Sequence, residues 1–143
     1  MKNNKSRNGF TLIELIIVMV ILGIMAAVAV PRYLDSISNA EEAAEDAVIS
    51  AIRSGLTQYA NNSLYESGRA EWPTNPFDAL AEKPVGYSTD DSDADVDGEW
   101  TFSGGRITHQ RADNSRYAWE YDPGTQGGGD DAAIGSLGQR TAL

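Results

Sequence analysis

Few side chains in this 143-residue chain are of the types that act in catalysis or hold metals. There is no cysteine, which excludes disulfides, thiolate catalysis and the usual structural zinc sites. The single histidine, His109, is more typical of a cross-strand neighbour of Trp100 than of a catalytic base. No two carboxylates have the spacing of an acid–base couple, so we predict that the protein is not an enzyme.

An acidic segment, residues 90–99, contains the candidate metal site. Asp93, Asp95 and Asp97 alternate and precede a glycine, which matches the first half of a calcium-binding loop. The twelfth position of such a loop would be Gly104 instead of a glutamate, and no helices flank it, which argues against an EF-hand. Two interpretations stay open: a looser calcium site, or a solvated acidic turn whose carboxylates repel one another. No other cofactor is predicted.

One carboxylate, Glu14, interrupts an otherwise uncharged run of 21 residues from Phe10 to Val30. As a helix, this run would be about 31 Å long, which is the thickness of the hydrocarbon core of a bilayer. The nine residues before it carry three basic side chains and no acid. Because such a basic stub stays in the cytoplasm, we predict a protein that crosses the cytoplasmic membrane once, with its remainder outside the cytoplasm.

Three interpretations compete for this apolar run: a core helix of a soluble protein, a secretory signal peptide, and a retained membrane helix. A soluble helix seldom lacks a polar face over such a length. Ala27 and Ala29 have the spacing of a signal-peptide cleavage site, with the cut after Ala29. Glu14 and Pro31 argue against that interpretation. The third interpretation is a retained helix whose short leader is removed in front of Phe10.

The sequence pattern around the start of the run favours the third interpretation. In order, the residues are Gly9, Phe10, Thr11, Leu12, Ile13, Glu14 and Leu15. This segment, with Pro31 at its far end, resembles the amino-terminal segment of type IV pilins and of the pseudopilins of type II secretion systems. The resemblance implies that a prepilin peptidase cuts between Gly9 and Phe10, and that the new amine of Phe10 is methylated. The implied partners are further copies of the chain, the peptidase, an inner-membrane platform protein and a cytoplasmic assembly ATPase.

The resemblance also assigns Glu14 to filament assembly, and the chemistry of a carboxylate in apolar surroundings supports that role. A lone carboxylate is costly within a bilayer, and the amine produced at Phe10 would be cationic at neutral pH. In a filament that excludes water, this amine would pair with Glu14 of a neighbour. Breaking such a buried pair typically costs about 3–5 kcal/mol. The alternative is an unpaired glutamate at the membrane surface.

The helical periodicity continues past Pro31, where we expect a kink or a short melted stretch because proline removes a backbone donor. Apolar residues recur at steps of three and four from Leu34 to Tyr59, and the acids, Glu45 among them, mostly take the other side. We therefore expect one long helix over residues 11–60, ended by Asn61–Ser63, whose second half packs on a sheet.

The strand signals lie in the last 60 or so residues. They are a weak strand at 85–88, a hairpin of residues 99–103 and 106–110 around Gly104-Gly105, and a third strand at 117–121. Residues 64–80 are predicted to form a loop, and the glycine-rich residues 123–143 a loose tail in which Asp130 and Asp131 are further candidate ion ligands. The predicted fold is α+β, with a long amino-terminal helix on a three- to four-stranded antiparallel sheet, as in pilins.

The combined hypothesis divides the chain into a cleaved leader (1–9), a transmembrane and filament-core helix (10–31) and a periplasmic or extracellular head (32–143). Its function would be that of a structural subunit of a type IV pilus or a type II secretion pseudopilus. The alternative is an exported or membrane-tethered module that binds calcium or polysaccharide. A mature terminus at Phe10 would favour the first, and one at Val30 the second. The net charge of −10 argues against nucleic acid as a partner.

Overall fold

The computed structural model describes residues 9–124 and 135–143. The leader up to residue 8 lies outside the described residues, as do Asp130 and Asp131 of the predicted tail. The chain divides between Glu42 and Ala43 into two compact units. We call the first unit the stem and the second the head, so from here on the head begins at Ala43 and residues 32–42 belong to the stem.

The helix α1 extends from Leu12 to Ser67. The helix continues through Pro31, so it has no melted turn at this proline, and the predicted kink stays a prediction. The predicted end at residues 61–63 is wrong by about one turn. Gly68 ends the helix with a φ of +76°, and its N–H donates to the carbonyl of Leu64 at 3.0 Å. Asparagine and serine disfavour a helix only weakly, so the stronger stop signal is the glycine.

Five strands follow in the described part of the chain. They are β1 (Trp100–Ser103), β2 (Arg106–Gln110), β3 (Arg116–Asp122), β4 (Ser136–Leu137) and β5 (Thr141–Ala142). A short 3₁₀ helix, Pro76–Ala79, precedes them. The strands β1, β2 and β3 pair antiparallel in sequence order, and β4 and β5 both pair antiparallel with β3. The predicted strand at 85–88 forms only a single parallel bridge, between Tyr87 and Trp100.

The predicted hairpin is confirmed in both its turn and its register. Gly104 and Gly105 form the turn with φ values of +57° and +80°, a backbone conformation that two-residue hairpin turns need and that glycine adopts without strain. Phe102 lies opposite Ile107, and Trp100 lies opposite His109, as the alternation predicts. The third predicted strand is also present, as β3.

The hydrophobic core of the head joins α1 to one face of the sheet. From α1 come Ile49, Ile52 and Leu56, and the sheet and the 3₁₀ helix supply the aromatic side chains Phe77, Trp100, Trp119 and Tyr121 together with Ile107. The rings of Trp100 and Trp119 stack with centroids 5.8 Å apart. The aromatic residues are therefore core residues, as expected from their alternation along the strands.

The opposite face of the sheet is also covered. Thr101, Thr108 and Ala118 lie side by side on this face and are buried. The acidic segment lies over them: Ala94 is fully buried, and its N–H donates to the hydroxyl oxygen of Thr108 at 2.7 Å. The acidic segment therefore covers this face of the sheet through Ala94, while the side chains of Asp91, Asp95 and Asp97 are exposed.

Candidate functional site

The predicted cleavage site lies in an open part of the chain. Gly9 and Phe10 precede α1, neither belongs to a helix or strand, and the side chain of Phe10 is 86% exposed. A peptide bond in such a position is sterically open to a peptidase.

The side chain of Glu14 closes the amino-terminal end of α1. Thr11 is the N-cap, and both its backbone N–H and its hydroxyl donate to Oε2 of Glu14, at 2.9 and 2.8 Å. In return, the N–H of Glu14 donates to the hydroxyl oxygen of Thr11 at 3.3 Å. This reciprocal arrangement is a capping box, which satisfies backbone donors that a helix leaves unpaired at its start. It fixes the carboxylate at the helix end, one turn from Phe10.

The stem carries an apolar surface that no described residue of the stem covers. Its large apolar side chains between Phe10 and Ile37 are exposed, most of them by half or more. α1 is long and apolar enough to cross a membrane, and no residue of its most apolar 18-residue window is buried. Helices of this kind need lipid or other helices around them.

The three alternating aspartates do not converge on one point. Asp93 accepts two hydrogen bonds from Arg106, at 3.2 and 2.6 Å, and Asp97 accepts one from Gln110 at 3.4 Å. The N–H of Asp95 donates to Glu99, which lowers the pKa of that glutamate. The described residues include no group of three acidic, histidine or cysteine side chains that could hold a metal. Calcium binding by this segment stays a prediction.

The head contains a buried charge cluster around Glu45. Arg111 donates to both carboxylate oxygens of Glu45, from Nε to Oε1 and from Nη2 to Oε2, each at 2.6 Å. His109 contacts Oε1 through Nδ1, and Arg140 donates from Nη1 to Oε2, both at 3.0 Å. The guanidinium group of Arg111 stacks on the ring of Tyr117, 4.1 Å from its centroid.

Glu45 is ionised in this setting. Burial by itself would raise the pKa of Glu45, but hydrogen bonds from Arg111, His109 and Arg140, together with the charge of Arg111, outweigh burial and lower it to about 2. Because a carboxylate can only accept hydrogen bonds, Nδ1 of His109 carries the proton. His109 also stacks on Trp100, with ring centroids 4.2 Å apart, which confirms the predicted cross-strand neighbour.

The prediction that Glu45 lies on the polar side of the helix is wrong. The buried positions of α1 are Glu45, Ile49, Ile52, Gly55, Leu56 and Ala60, whereas Ala44 and Ala51 of the expected stripe are exposed. Glu45 precedes Ile49 by four residues and Ile52 by seven, so it falls on the same face as the core residues. The spacing of Glu45 from the core residues therefore indicates in the sequence that Glu45 is buried. The neighbouring sequence does not indicate which basic side chains contact its carboxylate.

The same cluster fastens the carboxy-terminal segment. Arg140 lies between β4 and β5, which both pair with β3. A second arginine, Arg53 of α1, donates to the carbonyl of Gly138 at 3.2 Å. The N–H of Leu143 donates to the carbonyl of Arg116 at 3.0 Å. For residues 135–143 the expected loose tail is therefore wrong, because ion pairs and short strands hold them to the sheet.

The long apolar helix and the small antiparallel sheet together define a pilin-like α+β fold. Residues 4–30 match the family model of the prokaryotic N-terminal methylation motif. The chain is 41% identical over 100 residues to the type IV narrow pilus major component PilA5 of Thermus thermophilus, an alignment that covers 70% of this chain and 74% of that protein. The chain therefore belongs to the family of type IV pilins and type II secretion pseudopilins.

Other relatives match over shorter stretches. A fimbrial protein of Neisseria meningitidis is 40% identical over 72 residues, which are 50% of this chain and 39% of that protein. The type II secretion system core protein G of Pseudomonas aeruginosa is 36% identical over 83 residues, which are 57% of this chain and 55% of that protein. The aligned part thus spans only about half or less of these two relatives. No solved structure matches significantly.

Proposed function

We propose that this chain is a structural subunit of a type IV pilus or a type II secretion pseudopilus. Its stem is the membrane anchor before assembly and the filament core afterwards, and its acidic head forms the outer surface. A prepilin peptidase cuts between Gly9 and Phe10, and the new amine of Phe10 is methylated. The partners are further copies of the chain, the peptidase, an inner-membrane platform protein and a cytoplasmic assembly ATPase.

The observation that carries this proposal is the exposed apolar surface of the stem. The large apolar side chains between Phe10 and Ile37 are exposed and are not covered by the described residues of the stem, although a soluble subunit would bury such a surface. Lipid covers it in the monomer, and the helices of neighbouring copies cover it in a filament. The basic side chains Lys2, Lys5 and Arg7 keep the amino terminus in the cytoplasm, so the head lies outside.

Glu14 determines the axial position at which a new subunit joins the filament. Its Oε2 atom accepts the hydrogen bonds from Thr11, and no described residue donates to Oε1. Because the capping box fixes the carboxylate, Oε1 is presented at a defined position to the cationic amine of Phe10 in a neighbouring copy. Packing of apolar helices has little directional preference by itself, so this single ion pair selects one register.

A substitution of Glu14 tests this role. We expect Glu14→Ala to lower the yield of sheared filaments about tenfold or more, because its loss leaves the neighbouring amine without a counter-charge in apolar surroundings. The measurement compares filaments with subunits retained in the membrane, for chains expressed at equal levels.

The matched control is Leu15→Ala, which shortens the adjacent side chain and changes no charge. We expect filament yield within about twofold of the unaltered chain, since its apolar contact is one of many. Undiminished filaments of Glu14→Ala would contradict the proposed role of the carboxylate.

A further inference from the structure

Two charged side chains bracket the most apolar part of the stem. Glu14 and Arg32 are the only charged residues between residues 9 and 34, and Arg32 follows Glu14 by 18 residues. Because α1 is continuous over both positions, the two residues lie about 27 Å apart along the helix axis. This separation is close to the thickness of the hydrocarbon core of a bilayer, which is about 30 Å. When Glu14 lies at the cytoplasmic edge of the core, Arg32 therefore lies at the opposite edge.

The guanidinium group of Arg32 is available for a ligand at that edge. Arg32 is exposed, and within the described part of the chain it forms no ion pair. A guanidinium group presents its N–H donors in a planar fork that matches the oxygens of a phosphate group. The edge of a phospholipid bilayer carries phosphate groups, whereas the hydrocarbon beneath them strongly disfavours a charge. Phosphate is thus the ligand that fits both the chemistry and the position of Arg32.

The residues after Arg32 do not by themselves stop the stem from sinking deeper into the bilayer. Leu34 and Ile37 are 58% and 37% exposed, so the apolar surface of the stem continues past Arg32. Tyr33 is 67% exposed, and tyrosine is enriched where hydrocarbon meets the headgroups because its ring is apolar and its hydroxyl is polar. The depth of the stem therefore depends on the charged and interfacial side chains more than on the length of the apolar run.

We propose that Arg32 binds lipid phosphate at the outer surface of the cytoplasmic membrane, with Tyr33 beside it, and so fixes the depth of the unassembled stem. This inference rests on the proposed function, because it concerns the subunit while lipid covers its stem. Glu14 favours a shift of the stem towards the cytoplasm, where its carboxylate reaches water. The contact between Arg32 and phosphate opposes that shift, so the two charges together hold the stem at one depth.

Spin labelling measures this depth, and the chain has no cysteine that would take up a second label. Val28→Cys carries the label on the full-length chain, which is reconstituted at low protein-to-lipid ratio in vesicles of phosphatidylcholine and phosphatidylglycerol. Collision rates of the label with oxygen and with a water-soluble nickel complex give its depth. Arg32→Gln removes the charge and Arg32→Lys keeps it. The matched control, Asp35→Asn, removes a charge from the next turn of the same helix.

We expect Arg32→Gln to move the label about 3–5 Å towards the bilayer centre, since the next charged residue, Asp35, follows three residues later. Arg32→Lys and Asp35→Asn should leave the label within about 1 Å of its original depth, because both retain a cation at position 32 that binds phosphate. A label that keeps its depth in Arg32→Gln, or that moves equally in Asp35→Asn, would overturn the proposal.

Vesicles of a galactolipid with the same acyl chains identify the ligand, because this lipid has no phosphate. We expect the difference in depth between the unaltered chain and Arg32→Gln to fall to about half or less in these vesicles. A difference of the same size would show that water suffices to hold the guanidinium group and would refute phosphate binding. A difference that appears only at high protein-to-lipid ratio would assign Arg32 to a carboxylate of a second copy, again against the proposal. If the label on the unaltered chain lies outside the hydrocarbon, the proposed membrane anchor fails as well.

Discussion

Glu45 shows how a fully buried charge is accommodated in a small head. No surface of this residue is exposed, and Arg111 is only 3% exposed. Four hydrogen bonds from three side chains satisfy both carboxylate oxygens. These partners come from β2, from the residue after β2 and from the segment between β4 and β5. One carboxylate of α1 is therefore joined to two parts of the chain that are distant in sequence, the end of β2 and the carboxy-terminal segment.

Replacement of Glu45 is expected to be severely destabilising. Glu45→Gln keeps the shape of the side chain but leaves the buried guanidinium group of Arg111 without its counter-charge. We expect the free energy of unfolding of the head to fall by about 3–5 kcal/mol. Denaturant titration in detergent, followed by fluorescence of the tryptophans in the head, measures this change.

The neighbouring acid provides a matched control. The side chain of Asp46 is 68% exposed, and its carboxylate lies 3.9 Å from Arg140. Asp46→Asn removes the same charge one residue along the helix and should change the free energy of unfolding by less than about 1 kcal/mol. Equal effects of the two substitutions would show that the buried cluster is not what stabilises the head.

The lowered pKa of Glu45 also predicts a dependence of stability on pH. A carboxyl group whose pKa is lower in the folded than in the unfolded protein stabilises the fold above its ordinary pKa, and this stabilisation is lost as the pH falls. For Glu45, the ordinary value is 4.5 and the folded value is about 2. We expect a loss of about 3 kcal/mol between these values.

The comparison that isolates Glu45 is between the unaltered chain and Glu45→Gln. Other acids with lowered pKa values, such as Glu99 and Asp113, titrate in both chains. The difference in the free energy of unfolding between the two chains should therefore shrink as the pH falls from 5 towards 2. A difference that is the same at both ends of this range would contradict the assignment.

The two glutamates differ in how far they could be predicted from the sequence. Glu14 stands alone in a run of apolar residues, so its unusual setting is visible in the sequence. Glu45 lies among other acids, and its burial depends on Arg111 and Arg140, which are 66 and 95 residues away. Long-range ion pairs of this kind leave no periodic signal, because their partners are brought together only by the completed fold.

Among the elements, those with a strong local pattern were predicted and the shortest ones were not. The hairpin of β1 and β2 combines alternating apolar residues with a two-glycine turn, so its register follows from local geometry. The strands β4 and β5 have two residues each and are too short to show alternation. They form because β3 offers an edge and Arg140 holds the segment in place, both of which are tertiary causes.

A backbone hydrogen bond holds the segment before β1 in place, so we expect a substitution of Gly86 to lower the stability of the head strongly. The carbonyl of Gly86 accepts from the N–H of Trp100 at 2.9 Å, and its φ is +84°. A Cβ atom at this position would collide with the carbonyl oxygen of Gly98. We expect Gly86→Ala to lower the free energy of unfolding by about 3 kcal/mol or more, as measured by denaturant titration.

The control for the substitution of Gly86 is the same substitution at Gly68, because it introduces backbone strain without a steric collision. The φ of Gly68 is +76°, but a Cβ atom there would meet nothing within 4 Å. Gly68→Ala should therefore carry only the cost of a left-handed backbone, about 1–2 kcal/mol. If the two substitutions prove equally costly, the close approach to Gly98 does not matter for stability.

At the scale of the whole molecule, the stem and the head differ in whether their apolar side chains are buried. Among the described residues, every member of the hydrophobic core cluster lies in the head, between Ile49 and Tyr121, while the stem exposes its apolar side chains. The head thus has the interior that an independently folding unit needs, and the stem has the surface of a membrane helix. The sequence shows the same contrast as an uneven distribution of apolar residues along the chain.

The division predicts that the head folds without the stem. A fragment of residues 43–143 retains the core and the charge cluster and lacks the exposed apolar run. We expect it to be a monomer in buffer without detergent, with a cooperative unfolding transition, whereas the full chain requires membrane or detergent. Size-exclusion chromatography and thermal unfolding followed by circular dichroism measure these properties. An aggregated or unfolded fragment would show that the stem contributes to the fold of the head, because the contacts within the head would then be too few to offset its conformational entropy.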